Sequence, residues 1–218
     1  MERKLLAEGF GTAFLLIAVV GSGIMAETLS GGNTGVALLA NSIATGAALY
    51  VLISIFGPVS GAHFNPAVTF GFLLRGDIPR GEAAAYVAVQ IVAGVLGVWS
   101  THLMFDLAIF QTSGTVRSGP GQWWAEAVAT FGLMLTILGG LAARPAAVPA
   151  LVAAYITGAY WFTASTSFAN PAVTIARSFT DTFAGILPGH MPAFIIVQLL
   201  GAALAVLLAP RIFGKSGD

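Results

Sequence analysis

The chain has 218 residues and no formal net charge, with 8% charged and 57% apolar side chains and a mean hydropathy of +0.89. Soluble domains carry roughly 25% charged residues, so this chain has too little charge for a water-facing surface and is predicted to be an integral membrane protein. The zero net charge gives no indication of nucleic acid as a partner. The lack of cysteine excludes disulfides and thiolate chemistry, and with only three scattered histidines we expect no metal site.

Three apolar runs in the first half are long enough to cross a bilayer. We predict helices at residues 4–25, 34–56 and 81–105. The first run could imitate a signal peptide, but Glu8 interrupts it and no small-residue cleavage site follows, so we interpret it as a spanning helix. Gly57 and Pro58 are expected to end the second helix, because proline lacks an amide donor and glycine relaxes the backbone.

The second half repeats this pattern after a polar linker at residues 106–122. Helices are predicted at residues 123–141, 147–164 and 191–212, each bounded by turn residues. The chain is therefore predicted to be an all-α membrane protein, in which six transmembrane helices form one domain over residues 1–218.

A short motif occurs once in each half. Asn-Pro-Ala-Val-Thr begins at Asn65 and again at Asn170, 105 positions later. The asparagine is a typical N-cap and the proline suits the first helical position. Residues 65–74 and 170–179 would form helices roughly 15 Å long, half of a bilayer core of about 30 Å. We predict two half-helices that meet at the membrane centre, and their first residues are Asn65, Pro66, Ala67, Asn170, Pro171 and Ala172.

Further matches indicate an inverted repeat. Ala7-Glu8-Gly9-Phe10-Gly11-Thr12 resembles Ala125-Glu126-Ala127-Val128-Ala129-Thr130, and the third span of each half carries a glutamine, Gln90 or Gln198. Three spans per half is an odd number, so the second half must be inserted upside down relative to the first. The repeats are predicted at residues 4–105 and 123–213.

The basic residues predict an orientation. With both termini cytoplasmic, seven basic residues would lie inside and two outside, which follows the positive-inside rule. The outer two are Arg117 and Arg177, and the inner seven are Arg3, Lys4, Arg75, Arg80, Arg144, Arg211 and Lys215.

The paired Asn-Pro-Ala half-helices, the repeated Ala-Glu and the six-span spacing resemble the aquaporin (major intrinsic protein) family over nearly the whole chain. The resemblance implies one passive pore per subunit, a homotetramer in the cell membrane, no catalysis and no cofactor. The run from Asn170 through Arg177 to Ile186 is similar to a bacterial branch associated with arsenic resistance. That branch implies water, glycerol-like polyols and metalloid hydroxides such as arsenous acid as the solutes.

The centre of such a pore would repel cations. Two half-helix N-termini present free amide groups and partial positive charge there. Asn65 and Asn170 could cap their helices through the side-chain oxygen and offer N–H donors to a passing neutral solute. His63 resembles a pore-lining histidine of the family, although it could instead pack within the loop.

Glu8 and Glu126 lie inside predicted spans, where a carboxylate is costly and usually paired or functional. They could relay protons, or they could accept hydrogen bonds from the backbone of a re-entrant loop. The resemblance implies the second role.

The predicted selectivity filter departs from that of water-selective relatives. Those relatives place an arginine directly after the second motif, where this chain has Val173. An ungapped count from the motifs places Thr45, Gly158 and Ser167 at the other filter positions. The sequence thus predicts a wide, largely apolar filter without a fixed cation.

Arg177, four residues after Val173, could line the outer vestibule or form a salt bridge with Asp181. Gly46 and Gly158 are interpreted as residues that let two helices cross closely, and Tyr160 as a membrane-interface or lipid-facing side chain. The alternatives to the polyol channel are a strictly water-selective channel, a transporter coupled to protons through Glu8 or Glu126, and a structural protein with a closed pore.

Overall fold

A computed structural model describes residues 1–214, which contain eight α-helices and no β-strand. Short 3₁₀ turns lie at Pro145–Ala147, Arg177–Phe179 and Pro188–His190. The helices are α1 (Glu2–Leu29), α2 (Thr34–Ser60), α3 (Pro66–Arg75), α4 (Arg80–Met104), α5 (Pro120–Ala143), α6 (Val148–Phe162), α7 (Pro171–Ala176) and α8 (Met191–Phe213).

Six of these helices are long and apolar enough to cross a membrane, which confirms the predicted all-α membrane fold. The first is α1 and the last is α8, preceded by its 3₁₀ turn. Their outward faces carry large apolar side chains, which is typical of helices that face lipid or a neighbouring subunit in a membrane. Examples are Phe10, Phe14, Leu39, Ile43, Leu96, Leu200 and Leu204.

The predicted end of the second helix is wrong, because α2 continues through Gly57 and Pro58 to Ser60. Pro58 lies within the last turn on an exposed face, where the missing amide costs only one helical hydrogen bond. The helix ends at Gly61, whose φ of 88° is left-handed and therefore suits glycine.

The two short helices begin where the motifs predict. Asn65 caps α3 and Asn170 caps α7, each with extended backbone dihedrals and a proline at the first helical position. The second half-helix is shorter than predicted, since α7 ends at Ala176 and tightens into the 3₁₀ turn that starts at Arg177.

The helices pack with an inverted correspondence between halves. In the first half α1 packs on α2 and α4, and in the second α5 packs on α6 and α8. Each half-helix also crosses into the other half, since α3 contacts α8 and α7 contacts α4. The limits of the domain and of its repeats stay predictions.

Two glycines allow the closest helix crossings. A Cβ on Gly97 would collide with the Ala13 carbonyl of α1, and one on Gly201 with the Ala127 carbonyl of α5. Backbones this close need glycine, which is typical of helices that associate within a membrane.

The start of α1 and the end of α8 lie at the same end of the bundle, because the number of spans is even. We call this the terminal end, where Lys4 at the start of α1 pairs with Glu82 at the start of α4, with 2.8 Å between Nζ and Oε1. The opposite end, called the linker end, holds the linker at residues 105–119 and the loop after α7. Lys215, which counts toward the predicted orientation, lies outside the described residues.

Candidate functional site

Glu8 organises the re-entrant loop of the first half. It is fully buried, and its two carboxylate oxygens accept four hydrogen bonds. Oε1 accepts from the Ser60 hydroxyl at 2.7 Å and the His63 amide at 2.9 Å. Oε2 accepts from the Phe64 amide at 2.7 Å and from Gln90 Nε2 at 2.8 Å. The loop has no helical partners for these amides, so the carboxylate replaces them.

Glu126 is also fully buried and has a similar role in the second half, where it accepts bonds from two loop amides and a glutamine but from no hydroxyl of the described residues. Its oxygens accept from the amides of Phe168 and Ala169, both at 2.8 Å. Gln198 Nε2 donates to Oε2 at 2.6 Å and to Thr174 Oγ1 at 2.9 Å. The same chemistry therefore holds both loops.

The backbone of the two loops is strained at matching positions. Ala62 and Phe64 have φ values of 51° and 47°, and their counterparts Ser167 and Ala169 have 52° and 47°. Left-handed dihedrals cost such residues roughly 1–2 kcal/mol each. The hydrogen bonds to the two glutamates offset this cost, which explains why buried carboxylates stand at these two places.

The two asparagines join the halves. Asn65 Oδ1 accepts from the Ala67 amide at 2.8 Å, while its Nδ2 donates to the Ala169 carbonyl at 2.7 Å. Asn170 caps α7 in the same way, and its Nδ2 donates to the Phe64 carbonyl at 2.8 Å. An amide nitrogen carries two hydrogens, so each side chain keeps one further donor, and both asparagines line the central cavity.

The central cavity has a volume of about 450 Å³ and lies between the two half-helices. Its lining begins at the terminal end with Lys4 and Glu82, passes the two asparagines, and reaches Tyr160 and Arg177 toward the linker end. Glu8 and Glu126 do not line it. The cavity therefore extends along the axis of the bundle.

At the linker end, Thr45, Ser167 and Val173 line this cavity. Thr45 is hydrogen-bonded to the Tyr160 hydroxyl, with 3.2 Å between the oxygens. Ser167 is 4% exposed, and its hydroxyl has no hydrogen-bond partner among residues 1–214. Val173 contributes an apolar wall.

The prediction that Gly158 lines the filter is wrong. The side chains of α6 that line the cavity recur every four residues, at Val148, Val152, Ile156 and Tyr160. Gly158 lies on another face of this helix, where a Cβ would meet only the ring of Phe162 at 3.8 Å. The helix crossing is made instead by Gly46, whose Cβ would collide with Thr157 of α6.

Tyr160 is the residue that the sequence analysis missed. The sequence favours a membrane-interface or lipid-facing position for this side chain, yet it is 4% exposed and lines the cavity beside Thr45. An aromatic ring thus narrows a region that was predicted to be wide. The four-residue spacing from Ile156 was the signal that could have identified it.

Arg177 is buried at the linker end and lines the cavity. Its Nε donates to the Ala184 carbonyl, and its guanidinium carbon lies 3.5 Å from the centre of the Phe168 ring. The expected alternative, a salt bridge with Asp181, is wrong, because Asp181 Oδ1 instead accepts from the Gly114 amide at 2.9 Å. Arg177 therefore borders the cavity, which agrees with its interpretation as an outer-vestibule residue.

His63 lines the cavity on the terminal side of Asn65. Its ring stacks on Phe72 with 4.7 Å between centroids, and Nδ1 lies 3.0 Å from Thr69 Oγ1. The ring thus packs within the loop and also borders the cavity. The pore-lining and loop-packing interpretations of His63 are therefore compatible.

The sequence of this chain is similar to a known protein family. The family model described as "Major intrinsic protein" matches residues 1–164, more than half of the chain. The chain belongs to the major intrinsic protein family. It is therefore a channel protein and not an enzyme.

Two relatives show how the resemblance extends within the family. The chain is 56% identical to "Aquaglyceroporin AqpS" from Rhizobium meliloti, over 95% of this chain and 89% of that protein. It is 30% identical to "Probable aquaporin TIP1-2" from Oryza sativa subsp. japonica, over 97% of this chain and 86% of that protein.

A solved structure agrees in fold. The aquaglyceroporin from Plasmodium falciparum superposes with a TM-score of 0.71 at 19% identity, covering 98% of this chain and 95% of that one. The six long helices and two half-helices are therefore the fold of this family.

Proposed function

We propose that the protein is a passive channel for water and small uncharged solutes, including glycerol-like polyols and metalloid hydroxides such as arsenous acid, and that it excludes protons and ions. The observation that carries this proposal is the distribution of charge along the cavity. Its acidic lining residues, Asp77 and Glu82, both belong to the terminal mouth, and the described lining beyond them contains no carboxylate. A cation entering from that mouth would find no compensating charge further in.

The centre of the cavity adds a second barrier to cations. The N-termini of α3 and α7 meet there, and each contributes partial positive charge. Half-helix dipoles of this kind are an established means of excluding protons and cations in aquaporin-type pores. A neutral solute can instead accept a hydrogen bond from the free amide donor of Asn65 or Asn170.

The linker end of the cavity suits a polyol. Val173 forms an apolar wall, while the Thr45–Tyr160 hydroxyl pair and the unpartnered Ser167 hydroxyl offer polar groups. A polyol has a carbon backbone on one side and hydroxyls on the other, so it can match both kinds of wall. Arsenous acid carries three hydroxyls and is uncharged at neutral pH, so it presents similar groups. We therefore assign Thr45, Tyr160, Ser167 and Val173 to the selectivity filter.

Proton-coupled transport has less support. Glu8 and Glu126 are fully buried, lie outside the cavity lining, and use their oxygens to hold the two loops. A proton relay would need a carboxylate that reaches the permeation path.

The proposal also covers the orientation of the protein in the membrane and its oligomeric state. Six basic residues of the described part of the chain lie at the terminal end, against Arg117 and Arg177 at the linker end. Under the positive-inside rule this bias supports cytoplasmic termini, and the cell membrane implied by the family resemblance is the proposed location. The homotetramer implied by the family resemblance is part of the same proposal.

The direct test is stopped-flow light scattering on proteoliposomes. An inward gradient of an impermeant osmolyte measures water efflux, and a matched glycerol gradient shows glycerol entry as reswelling after the initial shrinkage. We expect reswelling faster than in empty liposomes, and arsenous acid is the next solute to measure. Water efflux without glycerol entry would support the strictly water-selective channel instead. No flux above empty liposomes would support a closed structural protein.

A further inference from the structure

We propose that Arg177 is the fixed cation that blocks cations at the linker end of the cavity, and that Arg117 of the linker is the residue that positions it. This inference rests on the proposed channel function and assigns residues to its ion exclusion. Neither residue belongs to an Asn-Pro-Ala motif or occupies the position directly after one, which here is Val173.

The charged side chain of Arg177 borders the cavity. The side chain is 4% exposed, and its Nε is occupied by the Ala184 carbonyl. Its Nη atoms form no hydrogen bond with another residue in the part of the chain that the structure describes. Since the residue lines the cavity, water or a solute there must satisfy these remaining donors.

Within the described residues, no carboxylate forms an ion pair with this charge. The ion pairs within residues 1–214 are Lys4–Glu82 and Arg75–Asp77, both at the terminal end. On the linker side, Glu126 accepts hydrogen bonds from the loop amides and Asp181 accepts one from Gly114. Arg177 therefore keeps its full charge toward any ion in the cavity, in a partly desolvated setting where such a charge acts strongly.

Arg117 fixes the loop that holds Arg177. Its Nε donates to the Gly185 carbonyl at 2.8 Å and its Nη2 to the Phe183 carbonyl at 3.2 Å. These two carbonyls flank Ala184, whose own carbonyl accepts from Arg177. Burial lowers the pKa of Arg117, and the nearby Glu126 opposes this effect.

The linker is joined to the same region along its length. The Ser113 amide donates to the Ser178 carbonyl at 2.9 Å, and the Leu187 amide donates to the Thr115 carbonyl at 2.7 Å. Phe168 lies beside both arginines, with its ring centre 3.5 Å from the guanidinium carbon of Arg177 and 5.3 Å from that of Arg117. The linker thus fixes the position of Arg177, which directly follows the second half-helix.

The experiment compares proton flux with glycerol flux in the same proteoliposomes. A potassium gradient with valinomycin makes the vesicle interior electrically negative, and a pH-sensitive dye trapped inside reports proton entry. The measured quantity is the ratio of proton flux to glycerol flux, because dividing by the glycerol flux corrects for the amount of functional protein. Arg177→Gln should raise this ratio by at least about tenfold, as expected for loss of one charge roughly 10 Å from a passing cation at an effective dielectric constant of about 20.

Two controls isolate the charge, and a second neutral variant repeats the test. Arg177→Lys keeps the charge and should stay near the unchanged protein. Arg144→Gln removes an exposed arginine at the terminal end and should have no effect on the ratio. Arg177→Met removes the charge while keeping an apolar stem beside Phe168, and it carries the same prediction as Arg177→Gln, so the test does not depend on the folding of one variant.

The role of Arg117 is tested by coupling. Arg117→Gln should raise the ratio of proton to glycerol flux less than Arg177→Gln does. The ratio for Arg117→Lys should lie between that of Arg117→Gln and that of the unchanged protein. The double variant Arg117→Gln/Arg177→Gln should leak no more than Arg177→Gln alone, because a residue that acts through another adds nothing once the other is gone. Additive leaks would overturn the positioning role.

Failure of this inference is distinct from failure of the proposed function. If neutral variants of Arg177 conduct glycerol and remain as proton-tight as the unchanged protein, Arg177 is not the barrier. Absence of glycerol flux in the unchanged protein would contradict the channel proposal itself. The proton measurement, normalised then to water flux, would still decide the role of Arg177.

Discussion

Asn65 and Asn170 hold each other's loop. The side-chain amide of Asn65 donates to the carbonyl of Ala169, directly before Asn170, and that of Asn170 donates to the carbonyl of Phe64, directly before Asn65. Each side-chain oxygen meanwhile caps its own half-helix. Aspartate could cap but not donate, and serine is too short to reach both groups, so the exchange requires asparagine twice.

Asn65→Ala should destabilise the protein more than loss of an ordinary helix cap. The cap is worth about 1 kcal/mol, and leaving the buried Ala169 carbonyl unpaired adds about 1–3 kcal/mol. The control is Asn33→Ala, because Asn33 caps α2 at an exposed position and only its oxygen is engaged. Thermal unfolding in detergent should show a larger loss of stability for Asn65→Ala than for Asn33→Ala. Equal losses would contradict a stabilising role for the hydrogen bond from Asn65 to the Ala169 carbonyl.

Glu8→Gln should lower the yield and thermal stability of the folded protein. Glutamine replaces one acceptor oxygen with a donor, which then faces a hydrogen-bond donor such as the Phe64 amide or Gln90 Nε2. Loss of hydrogen bonds to a buried charged group costs about 1.5–3 kcal/mol each.

The matched control is Glu27→Gln on the exposed end of α1, which should be neutral. Glycerol entry into vesicles should not depend on a pH gradient in the unchanged protein. Uptake against a glycerol gradient, driven by a pH gradient and lost in a folded Glu8→Gln variant, would instead establish proton coupling.

The half-helices could be predicted from the sequence because their determinants are local. An asparagine cap followed by proline specifies a helix start wherever it occurs, and Gly76 ends the first half-helix with left-handed dihedrals. The matched glutamates and glutamines also pointed to the bracing of both loops, since a carboxylate within a span needs donors.

The filter could not be predicted as well, because it depends on the rotation of α6. That rotation is set by the close contact of Gly46 with Thr157, a tertiary contact between α2 and α6. Counting back from Asn170 assumed a fixed relation between the loop and the helix, and it selected Gly158 instead of Tyr160. The burial of Arg177 likewise depends on the linker from the other half of the chain.

Tyr160→Ala should enlarge the filter. Removing the ring beside Thr45 leaves a gap that admits polyols larger than glycerol, so entry of a five-carbon polyol should rise relative to glycerol. Gly158→Ala is the control, since its new methyl group would point toward Phe162 and away from the cavity. Reswelling rates measure both. An equal change in the two variants would mean that Gly158 also borders the path.

Val173→Arg should reduce glycerol and arsenous acid entry. Val173 is 5% exposed and lines the cavity, so a longer, charged side chain must occupy the space through which solutes pass. Val173→Thr has nearly the same shape and should conduct, which separates obstruction from loss of the valine itself. Unchanged entry of both solutes in a folded Val173→Arg variant would contradict the place of Val173 in the filter.

The chain contains no cysteine, so a single introduced thiol is the only reactive one. The decisive measurement is glycerol reswelling of proteoliposomes carrying Val173→Cys, before and after treatment with a mercurial reagent, with Gly158→Cys as the matched control. The account predicts glycerol entry that falls nearly to the rate of empty liposomes for Val173→Cys and is retained for Gly158→Cys. Glycerol entry that the reagent leaves unchanged at Val173→Cys would show that solutes do not pass through the cavity between the half-helices.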